Sequence, residues 1–172
     1  MVKSYAHAAV FILLSFLMIQ NAQAQISKPG ITLGGYLLYS KPKGSFENSY
    51  KFGGGGEIFG GVGLGKSYVI ATAGFSQFKP VSASHEGSLT YTPVKIGLKR
   101  FLFKRILFVN ADVGRATVKN QVFNVSRFTR GVGVGAKLLG LEAGLYYDGW
   151  KKVNSAGYSN TFNVKVGMSL GL

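Results

Sequence analysis

The sequence predicts an all-β fold: an eight-stranded antiparallel up-and-down transmembrane β-barrel preceded by a cleaved signal peptide. Three observations predict it. Apolar and polar residues alternate one for one in eight separate segments, and the connections between those segments alternate long and short. Beyond residue 24, no apolar run approaches the roughly 20 residues a spanning helix needs, so any membrane crossing must be made by strands.

The first 24 residues carry the export signal. Lys3 supplies a positive n-region, Ala8 to Ile19 form the apolar run AAVFILLSFLMI, and Asn21-Ala22-Gln23-Ala24 ends it with an A-x-A cleavage pattern. The run is too short for a comfortable permanent anchor, and no Cys follows it to carry a lipid. Residues 1–24 are therefore expected to be removed, leaving 25–172 as a single barrel domain.

The eight segments fall at 31–40, 54–64, 67–78, 88–100, 107–115, 125–138, 141–148 and 161–172. The last is the clearest. Phe162, Val164, Val166, Met168, Leu170 and Leu172 share one face, and Thr161, Asn163, Lys165, Gly167, Ser169 and Gly171 share the other. Pro93 interrupts the fourth segment, because it lacks a donor for the ladder, and is expected to mark a bulge or the rim. Long connections are expected near 41–52, 79–87, 117–124 and 149–159, short ones near 65–67, 101–105 and 139–140. An even strand number then puts all long loops on one side, and both termini on the other.

Alternation alone fits a soluble barrel with its apolar face inside as well as a membrane barrel with that face outside. Composition decides between them. Only 15% of residues are charged, whereas a soluble domain shows roughly 25–35% charged residues on its surface. The polar face is rich in Gly, Ser, Thr and Asn, small residues that suit the cramped interior of eight strands. Its charges are mixed in sign: Glu57, Asp112, Glu142 and Asp148 accompany Lys95, Lys99, Arg127, Lys137 and Lys165. An unpaired charge in a closed lumen costs several kcal/mol, so these nine are expected to form a compensating network. Aromatics gather near strand ends, with Tyr39, Phe78, Tyr91, Phe123, Phe128, Tyr147, Trp150, Tyr158 and Phe162 toward the loops. Tyr68, Phe101 and Phe103 gather toward the turns, and the two groups are expected to form interfacial girdles.

A signal peptide, eight alternating segments and an apolar-alternating final strand together resemble the small OmpA/OmpX-like outer-membrane barrels. The resemblance is one of architecture over residues 26–172 and implies assembly by the barrel-insertion machinery of the bacterial outer membrane. That group's last strand usually ends in an aromatic residue, where this sequence has Leu172. Such barrels include adhesins, surface-stabilising proteins and narrow pores, so the resemblance does not choose a function.

No catalytic constellation stands out. His85 is flanked by Ser84 and Glu86, but adjacent residues rarely converge in triad geometry, and one His with one Glu is too few for a metal site. The run Gly53–Gly56 lacks the Lys-Ser/Thr of a phosphate loop and is expected to relax the backbone where the second strand leaves its loop. Neither enzyme activity nor a cofactor is expected. The formal net charge of +14 could suit nucleic acid, but export argues against that partner. Outer-membrane lipid is the expected partner, with Lys41, Lys43, Lys51, Lys151 and Lys152 in the loops meeting lipopolysaccharide phosphates. A narrow pore, a lipid A-modifying rim enzyme and a soluble binding barrel remain as alternatives.

Overall fold

A computed structural model describes residues 29–81, 87–152 and 156–171. The expected signal peptide, His85 with its neighbours, and Leu172 lie outside them. Eight strands follow in chain order: β1 (Pro29–Lys43), β2 (Tyr50–Leu64), β3 (Ser67–Pro80), β4 (Leu89–Leu102), β5 (Leu107–Lys119), β6 (Asn124–Leu138), β7 (Leu141–Lys151) and β8 (Tyr158–Gly171). Each is antiparallel to the next, and β8 returns to β1 in a register from Thr32↔Gly171 to Lys43↔Asn160, closing the barrel. Closure leaves no edge, the condition for a sheet in hydrocarbon.

The apolar face points outward. In β8, Val164, Val166 and Met168 are 38%, 54% and 58% exposed, while Asn163 and Lys165 are 3% and 2% exposed. The same parity holds around the wall, with Ile31, Leu37, Ile58, Val69, Ile96, Val113, Val134 and Leu145 all exposed. Soluble monomers rarely expose a contiguous apolar patch above a few hundred Å². A continuous belt of this kind has only one comfortable solvent, the interior of a bilayer.

At the loop end the strands run further than the alternation predicted. β1 continues through Lys41 and Lys43, β2 takes in Lys51, β3 Lys79, β5 Lys119 and β7 Lys151. The connections there shrink to 44–49, 81–88, 120–123 and 152–157, against 65–66, 103–106 and 139–140 at the other end. The long/short contrast is therefore weaker than expected. The physical reason is that a lysine ends the hydrophobic belt but not the ladder, which needs only backbone groups. At the opposite end, Leu139 (φ 51°) and Gly140 (φ 86°) form a two-residue turn whose paired positive φ values match the twist of the flanking strands.

Pro93 produces no bulge. It pairs in register with Ala116 of β5, and its ring faces inward. On the β3 side the register is the same before and after it, but no partners are paired at Gly74 and Phe75. The missing N–H thus opens a short gap in one ladder without shifting it. Among the described residues the register shifts instead between Tyr50 and Gly53 in β2. Gly53–Gly56 themselves keep negative φ and sit within the strand. What they provide is room: a Cβ at Gly53 would lie 2.8 Å from Cε1 of Phe78, and one at Gly55 2.7 Å from Cα of Ser76.

Val166 sits midway along the outward face of β8. Val166→Arg is expected to lower stability by about 2–4 kcal/mol, the cost of a cation at the bilayer midplane. Urea unfolding in lipid vesicles would measure it, and a loss below about 1 kcal/mol would contradict the outward assignment.

A filled lumen and an outward basic collar

Inward positions of the strands build a layered interior. In the middle layer, Lys95 of β4 reaches Asp112 Oδ1 at 3.3 Å, Asp148 Oδ1 at 3.4 Å and Glu57 Oε1 at 3.7 Å. Lys165 of β8 donates to Glu57 Oε2 at 2.6 Å and lies 3.8 Å from Asp148. Asn163 donates to Asp148 at 2.6 Å and Asn110 to Asp112 at 3.0 Å, so neutral amides share the load on the carboxylates.

One layer nearer the turns, Glu142 of β7 takes Lys99 Nζ at 2.5 Å, lies 3.8 Å from Lys137 Nζ, and accepts hydrogen bonds from the Tyr36 hydroxyl and from Ser169 Oγ. Lys137 donates to Ser169 at 2.6 Å. The lysine in this layer is also cradled by rings, with Lys99 Nζ 4.1 Å from the Phe108 centroid. Together Lys95, Lys99, Lys137 and Lys165 meet Glu57, Asp112, Glu142 and Asp148, four charges against four. Arg127 shares the inward face of β6 nearer the loops and is half-buried.

Aromatic layers close the lumen above and below the ions. At the loop end, Phe46, Tyr50, Phe78, Leu89, Tyr91, Ala116, Val118 and Trp150 form one buried cluster. Phe46 comes from a turn of 3₁₀ helix over Gly44–Asn48 that folds back into the mouth, with its ring 5.0 Å from that of Trp150. At the turn end, Phe101, Phe108 and Tyr146 form a second cluster with Tyr68 packed against it.

This corrects the expected girdles. Phe78, Tyr91 and Trp150 at one end, and Tyr68 and Phe101 at the other, stand on inward positions and plug the barrel. Phe123 packs against the upper plug. Among the described residues the exposed aromatics are Tyr39, Phe52, Phe75, Phe103, Phe128, Tyr147 and Phe162, and half-buried Tyr158 shares their outward parity. Nearness to a strand end did not decide the matter, because parity sends alternate residues to opposite faces.

The loop lysines need a second correction. Lys41, Lys43, Lys51 and Lys151 lie on strands and are exposed, above the apolar belt. Only Lys152 follows a strand, where it donates to Ser45 at 2.7 Å. Lys79, Arg115, Lys119 and Arg130 join the exposed row. Arg115 and Arg130 were not singled out from the sequence, although each has the parity of the apolar residues beside it and so had to point outward. Four of the six acids of the chain are consumed in the lumen, and no Asp or Glu faces outward from any of the eight strands. The collar thus has no acidic partner on the wall. Among the described residues no cluster of three or more metal-ligating side chains occurs.

A closed eight-stranded antiparallel wall is the architecture of the small OmpA/OmpX-like outer-membrane barrels. Solved structures of that kind share the fold at low sequence identity. Neisserial surface protein A has a TM-score of 0.59 at 15% identity, covering 81% of this chain and 96% of its own. The N-terminal β-barrel domain of Pseudomonas aeruginosa OprF has a TM-score of 0.61 at 11% identity, covering 81% and 97%. Yersinia pestis Ail in a phospholipid bilayer nanodisc has a TM-score of 0.53 at 14% identity, covering 83% and 98%. No family model and no curated protein matches the sequence.

Lys95 holds three carboxylates. Lys95→Met is expected to cost about 3–5 kcal/mol, because it strands buried negative charge. Adding Asp112→Asn should recover part of that loss. Urea midpoints of the two variants in vesicles would show it, and equal stability of Lys95→Met and the parent would refute the network.

Proposed function

We propose that this protein is a non-catalytic, non-conducting barrel of the bacterial outer membrane, whose role is structural and surface-facing. It holds the anionic head groups of the surrounding leaflet through its outward collar. The observation that carries the reading is the sorting of charge: the acids of the strands turn inward to neutral pairs, while Lys41, Lys43, Lys51, Lys79, Arg115, Lys119, Arg130 and Lys151 remain exposed at the loop end, where the one described acid facing solvent is Glu47 in the turn between β1 and β2. Each cation near an anionic membrane surface contributes about 1 kcal/mol. Lipopolysaccharide phosphates are the partners this row suits, and the barrel-insertion machinery is the partner during assembly.

The second reading, a narrow small-solute pore, needs an open path along the axis. The paired ions and the two aromatic clusters argue against it. A rim enzyme would rest on Ser84, His85 and Glu86, which are outside the described residues.

Two measurements test this. Replacing Lys41, Lys43, Lys51 and Lys151 with Glu is expected to cut the lipopolysaccharide retained per barrel after detergent extraction roughly tenfold or more, with the difference shrinking in high salt. Undiminished retention would remove the collar's role. The parent barrel in planar bilayers is expected to give no stable openings; steady conductance would favour the pore.

A further inference from the structure

The collar is not uniform. One row of outward positions runs across four neighbouring strands: Arg130 of β6 opposite Gly149 of β7, Gly149 opposite Asn160 of β8, and Asn160 opposite Lys43 of β1. The missing side chain at Gly149 leaves a pocket of about 220 Å³, lined by Arg130, Gly131, Val132, Tyr147, Gly149 and Asn160. Arg130 exploits the gap. Its guanidinium reaches across β7 to lie 4.1 Å from the ring centroid of Tyr158, a β8 residue one row nearer the loops. That contact engages the face of the guanidinium, and its N–H donors make no ion pair or hydrogen bond among the described residues. The Asn160 amide likewise has no hydrogen bond among them, and its Oδ1 stands where a Cβ on residue 149 would go.

Below the pocket the wall changes character. The next row down holds Val132, Tyr147 and Phe162, and under it Val134, Leu145 and Val164. There a second, apolar depression of about 540 Å³ opens, bordered by Leu107, Val134, Ala136, Ala143, Leu145 and Val164. Its depth comes from the small Ala136↔Ala143 pair and from Gly135↔Gly144 behind it. A donor-rich pocket at the top of the belt on β6–β7–β8 therefore stands diagonally over an apolar trough centred on β5–β6–β7, the two sharing β6 and β7 and the trough reaching β8 at Val164.

We infer that this is a stoichiometric lipid site: a phosphorylated glycolipid of the outer leaflet seats a phosphate at Arg130 and Asn160 and lays one acyl chain in the trough. Charge complementarity selects a phosphate, because the row offers cations and an amide donor with no carboxylate. Its width selects a saccharide head. Arg130 and Lys43 stand three strands apart, about 14 Å at the usual strand spacing, so one head group with two phosphates can engage both ends of the row. The inference rests on the collar reading for the orientation of this end toward the outer leaflet, and adds a defined place within it.

Native mass spectrometry of the full detergent-solubilised barrel tests it, with diphosphoryl lipid A and phosphatidylglycerol as the two probes. The parent is expected to retain one lipid A, and phosphatidylglycerol at least tenfold less. Gly149→Val, which fills the pocket without altering charge, and Arg130→Gln are each expected to lose lipid A tenfold or more. Arg100 shares the outward parity of Ile96 and Leu98 at the turn end of β4, and Arg100→Gln, which removes that cation, should lose none. Heat-modifiable gel mobility reports whether each variant is folded, and Arg130→Gln with Tyr158→Leu decide the matter if Gly149→Val does not fold. Equal retention of both lipids by the parent, or unchanged lipid A on the folded pocket variants, overturns the site. Loss in the fourfold collar variant with retention in Gly149→Val would overturn the pocket alone; the reverse pattern would leave the Arg130–Asn160 pocket standing and overturn both the Lys43 end of the row and the broader collar.

Discussion

Backbone pairing without an edge is the constraint on which the rest depends. Hydrocarbon offers no partner for an N–H or C=O, so the sheet has to return on itself, and β8 meets β1 along nearly its whole length. Once the wall is closed, each residue has two choices, out or in, and its neighbours have the opposite one. The belt, the ion layers, the aromatic plugs and the collar are all consequences of that single binary choice made along eight strands.

Inside, the same constraint sets the chemistry. Eight strands leave a bore that side chains fill, and what fills it must be apolar or neutralised. This chain does both in layers. Glycines make space for the larger partners: a Cβ at Gly133 would lie 2.6 Å from Cε1 of Tyr146, and one at Gly97 2.7 Å from Cβ of Asp112. Where rings and ions stack this closely, the interior is a solid core in the sense of a soluble protein, turned so that water is outside the ends and lipid is outside the wall.

Much of this was legible. Period-two alternation located eight strands, and the small and charged residues sharing a face with Asn163 and Lys165 told inside from outside. What escaped was the outer third of the molecule. A lysine such as Lys43 or Lys51 reads as loop when hydropathy is the guide, yet strands persist past the belt into the head-group layer. Trp150 and Phe78 were assigned by distance from a loop when parity was available and gave the opposite face. Arg130 was visible by the same rule, two residues from Val132, but its pocket was not: that depends on Gly149 and Asn160 being brought beside it by a register the sequence does not print. Phe46 in the mouth was beyond reach for the same reason, since it belongs to no alternating segment.

The lapse in pairing beside Pro93 makes the wall uneven in strength. Between β3 and β4, Gly74 and Phe75 face Pro93 and Thr92 without ladder partners, while the β4–β5 ladder is continuous through the same level. Breathing motions of a cylinder concentrate where fewest bonds resist them. Solvent deuterium should therefore enter the β3–β4 ladder earlier at this level than on either side of it, and a sideways parting of these two strands under tension would begin there.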